Sequence, residues 1–334
     1  MPLLSIKNMS STFHTGVGDV SAVRGISLYL DEGESIGIVG ESGSGKSVSM
    51  LSVMGLTPKN CEVRADQILF DGKDLTNVQR RDMRKILGKD IAMVFQDPMT
   101  CLNPLYTIGN QLMEPIKLHL GMNKKQAYEH ALKMLRLVDI PDPESRMKQY
   151  PHEFSGGMRQ RAMIAMALSC NPKLIICDEP TTALDVTIQA QILDLLKSLR
   201  EKMGISIIMI THDLGVVTTM CSRIIVMYGG MVVEEGTTRE VFYHPHHPYT
   251  LGLLRSLPKL NPEQHEKLTP IPGTPPDMLK PPAGCPFAAR CPYAMQACLT
   301  TLPARAQLSE THASCCHLLH PDAPAALRKE VFHE

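Results

Sequence analysis

Short apolar runs that end in glycine or polar residues recur along the chain and alternate with stretches of helical period. Residues 3–9 (LLSIKNM) and 20–30 (VSAVRGISLYL) predict strands, the second closing at the turn Asp31-Glu32-Gly33-Glu34. The next apolar run, around Ile36 to Val39, feeds a glycine-rich turn and then a helix from Lys46 that ends before Thr57-Pro58. QILFDG predicts a short strand, QRRDMRKILG a helix with a solvated basic face, and IAMVF (91–95) another strand. Residues 107–150 then turn helical (IGNQLMEPIKLHLG, KKQAYEHALKMLRLV and a shorter piece ending near Tyr150-Pro151), interrupting the β/α alternation. The strand LIIC (174–177) is followed by Ile188, Ile192, Leu195, Leu196 and Leu199 at helical spacing, then by strands ISIIMI (205–210), RIIVMY and MVVEEG. The pattern predicts an α/β domain over 1–243 with a helical subdomain at about 97–165, and an extension over 244–334.

Composition narrows this picture. The length of 334 residues leaves room for two or three domains, and a hydrophobic fraction of 43% is enough for ordinary cores. Lys plus Arg and Asp plus Glu number 34 each, a balance that gives no support to a nucleic-acid partner. No basic segment leads into an apolar one at the start, and no run of about 18 apolar residues occurs. Both features predict a cytosolic chain. Ten cysteines are unevenly spread: Cys61, Cys101, Cys170, Cys177 and Cys221 fit small buried apolar positions, while five fall after residue 284. In a reducing compartment that second group points to a metal or cofactor rather than to disulfides.

The candidate chemistry sits where strands end. Gly40, Gly45, Lys46 and Ser47 fit G-x-x-x-x-G-K-[ST], with Glu41, Ser42, Gly43 and Ser44 filling the turn and Val48 following in the helix. Glycines let such a backbone fold round phosphate oxygens without a Cβ collision, and the helix N-terminus adds partial positive charge. Lys46 can reach the β- and γ-phosphates, and the Ser47 hydroxyl can coordinate Mg²⁺. Gln96 ends the strand 91–95 and is placed for a Mg²⁺ or water contact. Ser155-Gly156-Gly157 opens an apolar helix whose free amides make a second anion site. Asp178 and Glu179 follow LIIC, and such adjacent carboxylates suit two roles: one holds Mg²⁺, the other polarises the attacking water. His212 ends the third strand that carries polar residues toward the same edge. Phe13, just ahead of the phosphate loop, could stack on a base or pack on a sheet edge, and spacing leaves both open.

These motifs, in this order, resemble the ATP-binding subunits of ABC transporters over residues 3–240 or so: GESGSGKS, Gln96, SGG at 155–157, LIICDE, ALD at 183–185 and His212. The resemblance implies a P-loop NTPase fold with an antiparallel β-subdomain and a helical subdomain. It implies a head-to-tail dimer, with each ATP clamped between one chain's phosphate loop and its partner's Ser155, Gly156, Gly157 and Asp185 region. It further implies Mg²⁺ on Ser47, Gln96 and Asp178, Glu179 as catalytic base with Gln96 and His212 in support, and Phe13 as the base-stacking aromatic. One departure is FSGGM where the family commonly has LSGGQ, so Met158 removes a polar side chain facing the partner's ATP.

The tail extends the likeness. HPHHPYTLGLLRSLP (244–258) resembles the segment after the ATPase core in peptide- and nickel-type importers. His244, His246 and His247 invite a metal reading, which the intervening prolines oppose by favouring an extended, exposed chain. A proline-rich connector, PIPGTPPDMLKPPAGC, leads to Cys285, Cys291, Cys298, Cys315 and Cys316. Five and six residues separate the first three cysteines, wider than the C-x₂₋₄-C pairs of zinc ribbons, although Zn²⁺ stays an alternative. GCPFAARCPYAMQAC…CCH is similar to that subfamily's cysteine motif, which implies a [4Fe–4S] cluster on Cys285, Cys291, Cys298 and Cys316, with Cys315 as the fallback fourth ligand. Far in sequence from every hydrolytic motif, the cluster is expected to brace the extension rather than transfer electrons in catalysis, so that Cys298→Ser destabilises the tail and leaves ATP binding at Lys46 intact. As a whole the chain resembles the D-type ATP-binding subunits of bacterial dipeptide permeases. That implies a homologous F-type subunit as heterodimer partner, two transmembrane permease subunits, a periplasmic substrate-binding protein, and a place on the cytoplasmic face of the inner membrane. Oligopeptide, glutathione and nickel uptake are the alternatives. A non-transport ATPase of DNA repair or translation would be expected to carry tandem cores, a long coiled coil or a basic face, and an Fe–S sensor is the third reading.

Overall fold

Alternating apolar positions explain the first sheet. In the strand Leu4–Thr15, Leu4, Ile6 and Met9 are fully buried, and in Gly18–Leu30 so are Ile26 and Leu30. The two strands pair antiparallel, and Leu4–Thr15 also pairs with Cys61–Arg64 and with Gln67–Phe70, the latter joined to Lys73–Asp74. These elements belong to a computed structural model that describes residues 1–182, 184–257 and 270–332. Ala183 of the ALD triplet and Pro258 at the end of the 244–258 motif lie outside the described residues.

The chain forms two compact units that do not follow its order: 1–30, 35–76 and 211–334 make one, 31–34 and 77–210 the other. The first holds the antiparallel sheet and a second, mixed set of strands. There Ser35–Val39 runs parallel to Arg223–Tyr228, which pairs antiparallel with Met231–Thr237. Ala313–Ser314 adds to that edge and carries Ala306–Gln307, so the cysteine-bearing tail is built onto the sheet rather than hung from it. The helix Leu214–Met220 packs so closely on the strand Ser35–Val39 that a Cβ on Gly37 would stand 2.1 Å from a Val217 methyl.

In the second unit Ile91–Val94, Leu174–Asp178 and all but the last residue of Ser206–Thr211 form a parallel set whose residues are buried throughout. Continuous apolar runs of this kind mark strands covered on both faces. The helix Val186–Met203 turns Ile192, Leu195, Leu196 and Leu199 inward, each contributing about 1.5–3 kcal/mol of burial. Between the first two strands lie the helices Ile108–Leu120, Lys124–Leu137 and Gly156–Leu168 with shorter turns at 98–101 and 143–146. Thr107 caps the first of these, and Asn123 with Gln126 forms a capping box on the second. The α/β architecture, the antiparallel sheet and the helical insertion are all present.

Three local expectations change. Phe13 lies inside a strand rather than between two, because bulges let Leu4–Thr15 continue through polar residues as far as the turn at Gly16-Val17. The strand Cys61–Arg64 escapes the hydrophobic pattern, since its residues are half-buried or exposed. QRRDMRKILG yields only one helical turn, Arg80–Met83.

Candidate functional site

The first unit carries the phosphate loop between the strand Ser35–Val39 and the helix Lys46–Val53. Gly40, Gly43 and Gly45 all have positive φ, at 153°, 79° and 95°. Close approach to the core itself also demands two of them: a Cβ on Gly40 would sit 2.1 Å from the Met227 carbonyl oxygen, and one on Gly45 2.4 Å from that of Ala22. Lys46 is buried over the loop, and its Nζ donates to the carbonyls of Gly40 (2.7 Å) and Glu41 (2.9 Å). The ammonium thus lies inside the ring of backbone it would share with phosphates. The Ser44 hydroxyl is buried without a hydrogen-bond partner, an orphaned polar group of the kind a bound anion would satisfy. Ser42 and Gly43 are exposed, and Ser47 and Val48 half-buried. Also in this unit, Phe13 is half-buried opposite Val20 and Cys61, and His212 is exposed just after the strand Ser206–Thr211.

The second unit holds the carboxylates. Asp178 ends its strand and is buried, while Glu179 follows at φ 46°, a left-handed backbone seldom adopted outside glycine, asparagine and aspartate. Its amide donates to the Ile210 carbonyl (2.8 Å), which holds the turn. The Gln96 side-chain amide donates to Glu179 Oε2 at 3.0 Å, and the Thr182 hydroxyl donates to the same oxygen at 2.9 Å. Gln96 and Glu179, 83 residues apart, are therefore brought together, and Thr182, which sequence reasoning did not single out, joins them. Ser155 caps the helix Gly156–Leu168, its hydroxyl accepting from the Met158 amide, with Gly156 exposed and Gly157 half-buried. A Cβ on Gly157 would stand 3.0 Å from the Ile188 side chain, and Asp185 caps the helix that bears Ile188.

In the tail Cys285, Cys291, Cys298 and Cys316 line one small cavity with Phe287, Ala288 and Leu318. Cys315 points elsewhere, beside Arg305 and Glu235. Burial pushes the Cys285 thiol up to about 12, Cys291 up to about 11, and Cys316 upward as well. Four sulfurs in an apolar pocket suit a group that binds thiolates, because only a cation would offset the cost of ionising them there. Gly284 is required beside them, since its Cβ would lie 2.2 Å from the Cys298 carbonyl oxygen.

One expectation about the tail is corrected. His247 is buried, not exposed: it caps the helix Pro248–Arg255 through Nδ1, and burial lowers its pKa to about 3, so it is a neutral imidazole. The cysteine loop also touches the phosphate loop. Arg290, one residue before Cys291, grips the Glu41 carboxylate of the phosphate loop with both terminal nitrogens, at 2.6 and 3.0 Å. Tyr249, whose hydroxyl accepts from the Glu41 amide at 2.7 Å, adds a second tie. The proline connector reaches the loop too, as Pro275, Pro276 and Met278 share a small cavity with Glu41, Ser42, Gly43 and Ser44. Proximity in sequence could not have shown these contacts.

Comparison with known proteins agrees with this arrangement of parts. Residues 23–182 match the family model described as ABC transporter, and residues 233–298 the model described as Oligopeptide/dipeptide transporter, C-terminal region. The chain is 54% identical over 317 residues to the dipeptide transport ATP-binding protein DppD of Bacillus subtilis, covering 95% of this chain and 94% of that one. It is 53% identical over 323 residues to the oligopeptide transport ATP-binding protein OppD of the same organism, covering 96% and 90%. Among solved structures, the ATP-binding cassette MJ0796, a post-hydrolysis dimer bound to ADP and phosphate, superposes with a TM-score of 0.63 at 30% identity, covering 71% of this chain and 99% of that one.

Proposed function

The chain belongs to the ATP-binding proteins of ABC transporters, in their oligopeptide/dipeptide group, and from that premise we propose how its residues work and what it helps to import. It is an ATPase subunit, and no helix among the described residues is long and apolar enough to cross a membrane, so the transport path belongs to permease partners. The reading that fits best is a motor for dipeptide uptake, with oligopeptide uptake as the close alternative, since relatives of both names are about equally similar.

In the proposed reaction a water attacks the γ-phosphate of ATP in line, ADP leaves, and Glu179 takes up the proton of that water. The observation that carries this assignment is the fixed carboxylate: Gln96 and Thr182 both donate to Oε2, which stops the side chain from swinging away. Lys46 and the loop amides bind the phosphates, and Asp178, Ser47 and Gln96 would hold Mg²⁺, which shields the phosphate charge. His212 assists at the γ-phosphate, Phe13 stacks on the base, and Ser155, Gly156, Gly157 and Asp185 serve the nucleotide of a second ATP-binding chain. A homologous F-type subunit is the partner proposed, on the cytoplasmic face of the inner membrane, with a periplasmic binding protein delivering the peptide. In the tail, Cys285, Cys291, Cys298 and Cys316 would hold a [4Fe–4S] cluster, with Zn²⁺ as the alternative. Bound there, such a cluster supplies a rigid cross-link between four points of the tail.

Glu179→Gln tests the chemical assignment. Glutamine keeps the shape but takes up no proton, so hydrolysis in the assembled transporter should fall by about 10²–10⁴-fold while ATP still binds. Unchanged turnover would remove Glu179 from its role.

A further inference from the structure

Glu234, His246 and His312 come together in the first unit with ligand atoms within 4.8 Å of one another. They arrive from three different places: Glu234 from the strand Met231–Thr237, His246 from the segment before the helix Pro248–Arg255, and His312 from the turn before Ala313–Ser314. We propose that this trio is a second metal site, separate from the cysteine pocket, which binds a divalent transition ion of the zinc type and pins the tail hairpin to the edge of the sheet.

Donor chemistry comes first. Two imidazoles and one carboxylate are a zinc ligand set, with a fourth position left for water. His312 Nε2 lies 2.9 Å from Glu234 Oε1, a separation that ligands of one small ion can keep. The His246 ring is held in an orientation suited to ligation through Nε2: its Nδ1 lies 2.7 Å from the His244 carbonyl oxygen and donates there. Metal-bound histidines commonly donate their other ring N–H to a backbone carbonyl in this way.

Burial comes second. The side chain of Glu234 is 0% exposed and that of His312 4%. Oε1 also accepts from the His246 backbone amide, but Oε2 has no hydrogen-bond partner. A buried carboxylate with one oxygen unpartnered calls for a cation. The neighbouring Arg305 pairs with Glu235 instead. The segments are tied together independently of any ion, since the Ser314 hydroxyl donates to the His246 carbonyl at 2.9 Å, so the three ligands are held in place. None of them belongs to the cysteine cavity.

Cobalt(II) alone is the probe. The full-length chain, purified without oxygen so that its cysteine pocket stays filled, which metal analysis checks, is titrated with Co²⁺ and followed by difference absorption. The site should give visible d–d bands with one equivalent and none of the near-ultraviolet charge transfer that thiolate ligation adds. His246→Ala changes a half-buried residue and should weaken Co²⁺ binding by at least about tenfold, the scale on which losing even an outer partner acts. Zn²⁺ should raise the Tm of the wild-type chain but not of His246→Ala. Glu234→Gln should also lose the bands, and His244→Ala, which touches the site only through its backbone, should keep them. Circular dichroism checks that each variant is folded. Absence of d–d bands in the wild type would make the trio an ordinary buried hydrogen-bond network and overturn the proposal. So would bands that persist in His246→Ala, or bands accompanied by thiolate charge transfer.

Discussion

Arg290→Ala is the perturbation that best exposes how tail and phosphate loop depend on each other. The guanidinium has five N–H donors, and all five are used: two go to the Glu41 carboxylate, one to the Tyr228 hydroxyl at 3.0 Å, and two to the carbonyls of Ile271 (3.1 Å) and Pro272 (2.8 Å). Its side chain is 6% exposed and that of Glu41 26%. Breaking a fully buried pair costs about 3–5 kcal/mol, and the partial hydration open to Glu41 reduces this to about 2–3 kcal/mol. The connector should therefore open about 30- to 150-fold more often. Hydrogen exchange across residues 270–290 reads that factor directly, and titration with a fluorescent ATP analogue reads its consequence at the loop. Affinity should fall, because the freed carboxylate can face the phosphates. Arg290→Lys should rescue little, since an ammonium cannot span five acceptors. Adding Glu41→Gln to Arg290→Ala should restore affinity without restoring protection of the connector. Exchange and affinity within twofold of wild type in Arg290→Ala would refute the argument.

Three further outcomes follow from the geometry. Cys316→Ser should abolish the brown colour and the content of about four iron per anaerobically purified chain, whereas Cys315→Ser should keep both, because Cys315 lies outside the shared cavity; equal loss in the two variants would count against the ligand set. Burial alone would raise the Glu240 pKa, but hydrogen bonds from Ser309, Thr237 and Thr311 bring it from an ordinary 4.5 to about 2. A folded pKa below the unfolded one gives stability that is complete above about 4.5 and is lost as pH falls toward 2, so Ser309→Ala should flatten the acid dependence of Tm in that window. Met158→Gln should change hydrolysis at the nucleotide of the partner ATPase and leave this chain's own site alone, measured by pairing it with Glu179→Gln variants of either subunit.

Much of the chemistry was legible because it sits at strand ends. An apolar run followed by Asp-Glu, Gln or a glycine turn locates a polar group at a sheet edge without any knowledge of the remaining fold, which is why Lys46, Gln96 and Glu179 could be read from the chain. Strand length was less legible. Phe13 lies in a strand whose outer half alternates only weakly, so its polar residues looked like a loop. The histidine segment misled in the other direction. Prolines at 245 and 248 suggest exposure, yet Pro248 opens a helix that His247 caps from a buried position. The partners of Glu41 were invisible for a simpler reason: Tyr249 and Arg290 stand 208 and 249 residues away, and no periodicity spans such distances.

Glu41 shows why the tail matters to the ATPase. A loop built to hold a polyanion gains nothing electrostatically from a carboxylate beside its first glycine, and an unpaired one would repel the ligand. Arg290 turns that liability into an anchor: it neutralises the charge, holds the carboxylate by two bonds, and leaves the Glu41 carbonyl to accept from Lys46. A cation that touches the loop is therefore contributed by the cysteine loop, and its position is fixed by Gly284, Cys285 and Cys291 on either side. If the four cysteines were freed to move apart, Arg290 would lose the geometry of a bidentate pair before it lost its charge. The tail then acts on nucleotide binding through the shape of the phosphate loop, and its cysteines need take no part in the chemistry to do so.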